Sequence, residues 1–372
     1  MNNSPLPNDR PSAVASFIRL IRQGAVPALR LLARPSTLAQ LPRLLWEGPG
    51  PAKRMLIQAH NNRELARLSR ENAPVTVISS FARSGSTWMC YLLGDILLQN
   101  HGVETTTQLS VDPDTIIVHY YAKLIARRDA SIRTQGCIIR THDLIPQLQR
   151  HIGGDPAVRK WRYLYLYRNP EDSLVSTFHL YQREKHLYTK FRHDIDLFCL
   201  DNVQGWADHV SSFLDYLDDA VDVHLVCYDQ LLRETPKVLS EALCWLGIPH
   251  TEATVARAHS NMLFSKLQAR ESKALVEKTA DAQGGYEKGF PYETKLRSGQ
   301  VPFFRQGKEG AGKLELKPDT LAKIREATQQ LFARANERLA RQSVGEEPTS
   351  PFLADADSRR SCTEVVPASN GR

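Results

Sequence analysis

The sequence predicts an α/β fold, a three-layer sandwich in which a central parallel sheet is flanked by helices. Four short apolar runs, beginning near residues 75, 137, 163 and 223, have the length and composition of strands. Each run feeds a segment whose apolar residues have helical spacing, and this alternation favours a parallel sheet covered on both faces. With 372 residues, of which 42% are hydrophobic, the chain can bury one large core.

The first predicted strand, residues 75–81, leads into a turn of small residues at 82–88 (ARSGSTW). Such a turn lets backbone N–H groups approach a phosphate, and the positive end of the next helix adds to the attraction. The predicted helix has an apolar face made of Met89, Leu92, Leu93, Ile96 and Leu97. The segment therefore predicts a P-loop-like anion site, although a turn of this kind is equally often only a tight connection.

This turn differs from the loop of nucleoside-triphosphate enzymes, which carries Gly-Lys-Ser/Thr. Ser86 follows Gly85, so the lysine that would reach the outer phosphates is missing, and the nearest cation is Arg83. The pattern favours a site for one phosphate-type group without a metal ion, and it counts against triphosphate chemistry.

A second strand and helix junction carries polar residues at the same edge of the predicted sheet. The run at 163–167 (YLYLY) ends in Arg168, after which Asn169 suits a helix N-cap and Pro170 suits the first helical position. Ser176 lies about two turns into that helix. Arg168 and Ser176 are therefore expected to line the crevice at the carboxyl ends of the parallel strands.

The chain resembles the sulfotransferase family that uses 3′-phosphoadenosine 5′-phosphosulfate. The resemblance rests on four separated segments that occur in the same order as in that family. Residues 83–88 are similar to the family's 5′-phosphosulfate loop, and residues 137–143 (CIIRTHD) to the strand that ends in its catalytic histidine. Residues 168–176 keep its arginine-to-serine spacing for the 3′-phosphate. Residues 304–310 (FRQGKEG) resemble its closing 3′-phosphate loop, and the resemblance covers about residues 75–317.

The resemblance implies transfer of a sulfuryl group from that donor to a hydroxyl or amine of an acceptor, with no metal ion. His142 would be the general base, and Arg83 would stabilise charge on the leaving phosphate. Trp88 would stack on adenine, with a core aromatic as the alternative. The implied donor-binding residues are Arg83, Ser84, Gly85, Ser86, Thr87, Trp88, Arg168, Ser176, Tyr228, Arg305, Gln306 and Gly307.

The chain departs from the family pattern at several positions. Arg83 replaces the usual loop lysine, and Gln306 stands where a second basic residue is usual, with Lys308 as the nearest cation that can restore the charge. Ala311 and Gly312 replace an acidic residue and a tryptophan. The dimerisation sequence that some members carry after this loop is not evident, so the oligomeric state stays open.

Two other functions are weighed against this one. A nucleotide-dependent kinase with the same sheet would need a loop lysine and a carboxylate for magnesium, and the Gly-Lys-Ser/Thr signature is missing. A non-catalytic donor-binding relative would keep the loops and lose the base, whereas His142 is retained. Residues 205–210, which resemble a Gly-x-x-His-Val helix of the family, are interpreted as a packed helix.

The predicted domain runs from residue 73 to 342, after a basic helical extension at 1–72 and before a disordered tail at 343–372. Arg30 and Arg34 interrupt the apolar runs of the extension far below the ~20 residues that span a bilayer. We therefore expect a cytoplasmic protein. The extension is interpreted as part of the fold, with weak contact of residues 10–46 with an anionic membrane, or a transit peptide, as alternatives.

The net charge of +7 is scattered along the chain, without the basic and aromatic clusters of single-strand binders, so nucleic acid is not expected as a partner. Cys90, Cys137, Cys227 and Cys244 lie in apolar patterns and are predicted to be reduced core residues. The acceptor is expected to be a small molecule, a sugar or a lipid headgroup. Residues 183–200 and 261–301 are expected to form its cap and lid.

Overall fold

The computed structural model of the protein describes residues 49–71, 73–100, 117–120, 137–154, 156–183, 191, 193–218, 221–269, 271–272 and 304–344. The predictions for residues 1–48 and for the tail beyond 344 lie outside the described residues, as do most of those for the acceptor cap and lid.

The described residues form one sheet of five parallel strands in the order β2-β3-β1-β4-β5. The central strand β1 lies between β3 and β4, so that Val77 pairs with Ile139 on one side and Tyr163 on the other. All four predicted strands are present, and the two-residue strand β2 is an addition that the sequence pattern did not reveal. The strands are β1 (Val75–Ser80), β2 (Val118–His119), β3 (Cys137–Thr141), β4 (Arg162–Tyr167) and β5 (Val223–Cys227).

Helices connect and cover these strands. In chain order the described part contains α1 (Pro49–Arg70), α2 (Ser86–Asn100), α3 (Ile145–His151), α4 (Pro170–Arg183), α5 (Ile195–Asp218), α6 (Tyr228–Arg233), α7 (Thr235–Leu246), α8 (Glu252–Asn261), α9 (Ala311–Glu315) and α10 (Pro318–Ser343), with a 3₁₀ turn at Pro156–Lys160. No described helix is long and apolar enough to cross a membrane.

Alternate residues of each strand point into two separate cores. Tyr163, Tyr165 and Tyr167 of β4 lie in a core with residues of α1, α4, α5 and α10, whereas Leu164 and Leu166 lie in a core with residues of α2, α7 and α8. Successive side chains of a strand point to opposite faces, so both faces of the sheet are covered. The predicted three-layer α/β sandwich with a central parallel sheet is confirmed.

The helix boundaries follow the expected capping chemistry. Asn169 Oδ1 accepts a hydrogen bond from the backbone N–H of Asp172, at 3.3 Å, just where α4 begins at Pro170. Gly247 ends α7 in the left-handed conformation, with φ of 66°. The cap at Asn169 fixes the start of α4 directly after β4. Arg168 therefore lies at the edge of the sheet.

Two local expectations need correction. β1 ends at Ser80, so Phe81 belongs to the turn that follows it. Cys244 is exposed, although Cys90, Cys137 and Cys227 are buried as predicted. The buried positions of α7 are Val238, Leu239, Ala242, Leu243 and Leu246, and Cys244 lies on the opposite side of that helix.

Candidate active site

A single crevice at the carboxyl ends of the strands collects the predicted site residues. All of them except Ser84 line it. The lining consists of Ala82, Arg83, Gly85, Ser86, Thr87, Trp88, His142, Arg168, Ser176, Leu180, Tyr228, Phe264, Phe304, Arg305, Gln306, Gly307, Lys308 and Ala311. Residues from six segments of the sequence therefore meet at the edge where ligands bind in open α/β sheets.

The turn after β1 has an unusual backbone. Arg83 and Gly85 both have positive φ angles, 66° and 93°. A Cβ atom on Gly85 would lie 2.3 Å from Cδ2 of Tyr228, so only glycine fits without displacing the ring. Because α2 begins at Ser86, the N–H groups of its first turn have no partner within the helix and are available to an anion.

Ser84 is held away from the crevice. Its side chain is fully buried, and its Oγ lies 3.4 Å from Oγ of Ser173 on α4. Ser173 Oγ also donates to the carbonyl oxygen of Ala82, at 2.9 Å. The side chain of Ser84 thus joins the turn to α4.

His142 follows β3 and has a defined ring orientation. Its Nδ1 lies 2.7 Å from the carbonyl oxygen of Ser80, an acceptor that requires a hydrogen on Nδ1. Nε2 is then the unprotonated nitrogen, and it makes no hydrogen bond within the described part of the chain. The tautomer that this contact selects is the one in which Nε2 can accept a proton.

The surroundings of His142 keep its ring neutral. The residue is exposed toward the crevice, yet the protein around the ring removes much of its hydration, and this lowers the pKa of His142. The hydrogen bond to Ser80 raises the pKa, whereas the positive charges of Arg140 and Arg83 lower it further. A neutral imidazole at neutral pH is what a general base requires.

Arg140 belongs to the site, although the sequence analysis did not include it among the binding residues. Only 2% of Arg140 is exposed, and its Nη1 donates to Oγ1 of Thr87, at 2.7 Å. A buried guanidinium thus lies behind the anion-binding turn. The signal that could have found it is its place in residues 137–143, two positions before His142.

Arg168 joins the turn after β1 to the closing loop, residues 304–310. Its Nη1 donates to the carbonyl oxygen of Arg83 at 3.3 Å, and its Nη2 to that of Lys308 at 3.2 Å. The guanidinium also lies over the ring of Tyr228, 4.5 Å from its centroid. The buried Nε has no hydrogen-bond partner among the described residues, which leaves donor capacity for a ligand.

Ser176 and Arg83 link the turn after β1 to α4 directly. Arg83 Nε donates to Oγ of Ser176 on α4, at 3.0 Å. The predicted 5′-phosphate turn and the predicted 3′-phosphate pocket are therefore in contact.

The closing loop contributes Arg305, Gln306, Gly307 and Lys308 to the crevice. Gly307 has a φ of 59°, and a Cβ atom there would lie 2.4 Å from Cδ1 of Phe264, which explains the glycine. Gln306 and Lys308 are exposed, and Arg305 Nη1 donates to Oε1 of Glu315, at 2.5 Å. Lys308 thus supplies a cation next to the position where Gln306 lacks one.

The replacement of an acidic residue and a tryptophan by Ala311 and Gly312 has a clear effect on packing. A Cβ atom on Gly312 would lie 2.5 Å from Cβ of Glu171 and 2.9 Å from its backbone carbonyl carbon. The buried carboxylate of Asp172 accepts hydrogen bonds from the N–H groups of Gly310 and Gly312, each at 2.8 Å. Helix α9 therefore lies directly against the start of α4.

Trp88 is a buried aromatic residue that also lines the crevice. It lines the crevice, but it is only 5% exposed, and its Nε1 donates to the carbonyl oxygen of Met262, at 2.8 Å. Its ring meets that of Tyr228 edge to face, with centroids 6.3 Å apart. The apolar wall that Leu180, Phe264 and Phe304 add to the crevice was not predicted.

Within the described ranges, no cluster of three or more His, Cys, Asp or Glu side chains has the arrangement of a metal site.

The chain resembles known proteins, and a family model matches most of it. Residues 74–336 match the family model described as "Sulfotransferase domain". Cytosolic sulfotransferase 5 from Arabidopsis thaliana is 23% identical over 262 residues, which cover 67% of this chain and 76% of that protein. A crystal structure of mouse sulfotransferase SULT7A1 complexed with PAP is 19% identical, covers 70% of this chain and 85% of its own, and aligns with a TM-score of 0.48.

Proposed function

The chain belongs to the sulfotransferase domain family, and from this premise we propose that it transfers a sulfuryl group from 3′-phosphoadenosine 5′-phosphosulfate to a hydroxyl or amine of an acceptor. The observation that carries the proposal is the orientation of His142. Its Nδ1–H is held by the carbonyl oxygen of Ser80, so that Nε2 remains as the acceptor in a crevice rich in arginine.

The proposed donor lies along the carboxyl edge of the sheet. Backbone N–H groups at residues 85–87 would bind the 5′-phosphate, with the buried Arg140 behind them. Arg168, Ser176 and Arg305 would bind the 3′-phosphate, and the unpartnered Nε of Arg168 supports this assignment. Trp88 and Tyr228 would contact the adenine.

In the proposed reaction the acceptor oxygen attacks sulfur while Nε2 of His142 takes the acceptor proton. The bond between sulfur and the bridging oxygen of the donor breaks, and adenosine 3′,5′-bisphosphate leaves. Arg83 would stabilise the negative charge that develops on the departing phosphate, and no metal ion takes part. The lowered pKa of His142 favours this role, because an imidazolium could not accept the proton.

The kinase alternative finds little support at the turn. Ser86 occupies the lysine position, and its Oγ accepts a hydrogen bond from Oγ of Ser80, at 3.0 Å, within the protein. A relative that binds the donor without catalysis is disfavoured by the fixed tautomer of His142. The acceptor, which we propose to be a small molecule, a sugar or a lipid headgroup, is to be identified with labelled donor.

His142→Ala tests the proposal. We expect sulfuryl transfer from labelled donor to a panel of phenols, alcohols, sugars and lipids to fall about 10²- to 10⁴-fold, with bisphosphate affinity nearly unchanged. His250→Ala is the matched control, because His250 bonds to Ser240 and Ile248 and does not line the crevice. Near-normal turnover of His142→Ala would exclude this mechanism.

A further inference from the structure

An anionic side chain lies behind Arg305. Nη1 of Arg305 donates to Oε1 of Glu315, at 2.5 Å, and Oε2 of the same carboxylate lies 2.6 Å from Nε2 of His179. Arg305 lines the crevice, whereas Glu315 and His179 do not. The carboxylate therefore holds the guanidinium from the side away from the ligand site.

Helix α4 connects this group to the rest of the site. Asp172, Ser176 and His179 are spaced at i, i+4 and i+7, which places them along one face of α4. Asp172 binds the N–H groups of Gly310 and Gly312 at the start of α9, and His179 binds Glu315 at its end. Ser176, between them, lines the crevice. One face of α4 thus supplies a crevice residue and holds both ends of α9.

The charge state of Glu315 fits this arrangement. Burial of the carboxyl raises its pKa, but the hydrogen bonds from Arg305 and His179 outweigh burial, so that the pKa of Glu315 is lowered. Glu315 is therefore ionised at neutral pH and forms a charge-assisted bond with Arg305.

We propose that Glu315, held by His179, is a positioning residue that orients Arg305 toward the 3′-phosphate of the nucleotide. The inference rests on the proposed function. In the alternative, Glu315 competes with the phosphate for Arg305, and its removal would have the opposite effect on nucleotide affinity. Removing a positioning residue weakens binding of the 3′-phosphate, and removing a competing anion strengthens it.

Calorimetric titration of the full chain with adenosine 3′,5′-bisphosphate and with adenosine 5′-monophosphate separates these outcomes. For Glu315→Ala we expect the bisphosphate affinity to fall roughly tenfold and the monophosphate affinity to change less than about twofold. Glu315→Gln, which keeps an oxygen acceptor for Arg305, should lose less. His179→Ala should change the same affinity in the same direction.

Glu337→Gln is the matched control. It removes one negative charge from an exposed pair with Arg341 on α10, and neither residue lines the crevice. Its affinity for both ligands should stay near that of the wild type.

Three results would overturn the proposal: tighter binding of the bisphosphate by Glu315→Ala, unchanged binding, or an equal loss for both nucleotides in a variant that unfolds at the same temperature as the wild type. A misfolded Glu315→Ala variant would lose affinity for both nucleotides together. In that case the affinities of Glu315→Gln for the two nucleotides test the proposal. Failure of the proposed function is seen separately, as a wild-type protein that does not prefer the bisphosphate over the monophosphate.

Discussion

The two sides of the crevice are built in different ways. The turn after β1 is formed by backbone, with left-handed conformations at residues 83 and 85 and a helix that starts at Ser86. The closing loop is held by side chains of another element, namely Asp172 and, through Glu315, His179 of α4. The turn takes its shape from two left-handed residues and is joined to α4 through Ser173 and Ser176. The contacts of α4 with the closing loop and α9 instead span more than 130 residues.

The largest expected effect comes from a substitution on the backbone-built side. Gly85→Ala combines a φ of 93° with a Cβ atom 2.3 Å from Cδ2 of Tyr228. We expect a loss of unfolding free energy of more than about 2 kcal/mol, together with loss of measurable bisphosphate binding. Thermal unfolding and calorimetry measure both.

Gly154→Ala separates conformational strain from the steric clash. Gly154 has a φ of 84°, but a Cβ atom there would meet nothing within 4 Å. This variant should lose only about 1 kcal/mol and keep its bisphosphate affinity. Equal losses in the two variants would mean that the contact with Tyr228 has no special importance.

The next effect concerns the residue that joins the two sides. Arg168→Ala should weaken the binding of adenosine 3′,5′-bisphosphate by about 2 to 5 kcal/mol. The binding of adenosine 5′-monophosphate should weaken much less, because this ligand has no 3′-phosphate. Arg233→Ala removes the same charge from an exposed pair with Glu309 and should change neither affinity. Equal weakening of the two nucleotides by Arg168→Ala would assign Arg168 a structural role only.

The last effect is a dependence of stability on pH that involves His209 of α5. His209 donates through Nε2 to the carbonyl oxygen of His142, at 3.1 Å, and its Nδ1 lies 3.0 Å from the hydroxyl of Tyr165. Burial lowers the pKa of His209 to about 4, although the hydrogen bond to the carbonyl oxygen of His142 acts in the opposite direction.

Because this pKa is lower in the folded than in the unfolded chain, the unfolded chain binds the proton first as the pH falls. Stability is therefore lost from about pH 6.5 down to about 4. Between pH 7 and pH 5 the loss from His209 should be about 2 kcal/mol. We expect His209→Gln to lose about 2 kcal/mol less than the wild type over that interval in urea titrations, and His250→Gln to behave like the wild type. An identical pH dependence of His209→Gln and the wild type would contradict this assignment.

The sequence predicted the sheet and the sheet side of the crevice well, since both depend on neighbouring residues. Short apolar runs located four of the five strands, and the small residues around Gly85 indicated the turn. Arg140 was missed as a site residue because its bond to Thr87 joins residues 53 positions apart. Cys244 was predicted to be buried because it lies among apolar residues, whereas the helix turns it outward.

The closing loop was predicted only through its resemblance to a family, and its support was not predicted. The bond between His179 and Glu315 joins residues 136 positions apart, and the contact of Gly307 with Phe264 brings together segments without a shared pattern. No local periodicity encodes such pairs. These pairs depend on how distant segments pack in the folded protein.

The hydrogen bond from Arg168 to the carbonyl oxygen of Lys308 also bears on the order in which the protein is made. Its two residues lie 140 positions apart, and the sheet that carries Arg168 is complete by residue 227. During synthesis the sheet can therefore form while one wall of the crevice has yet to leave the ribosome. The loop for which we propose contact with the 3′-phosphate would therefore be completed last, after the chain has passed residue 315.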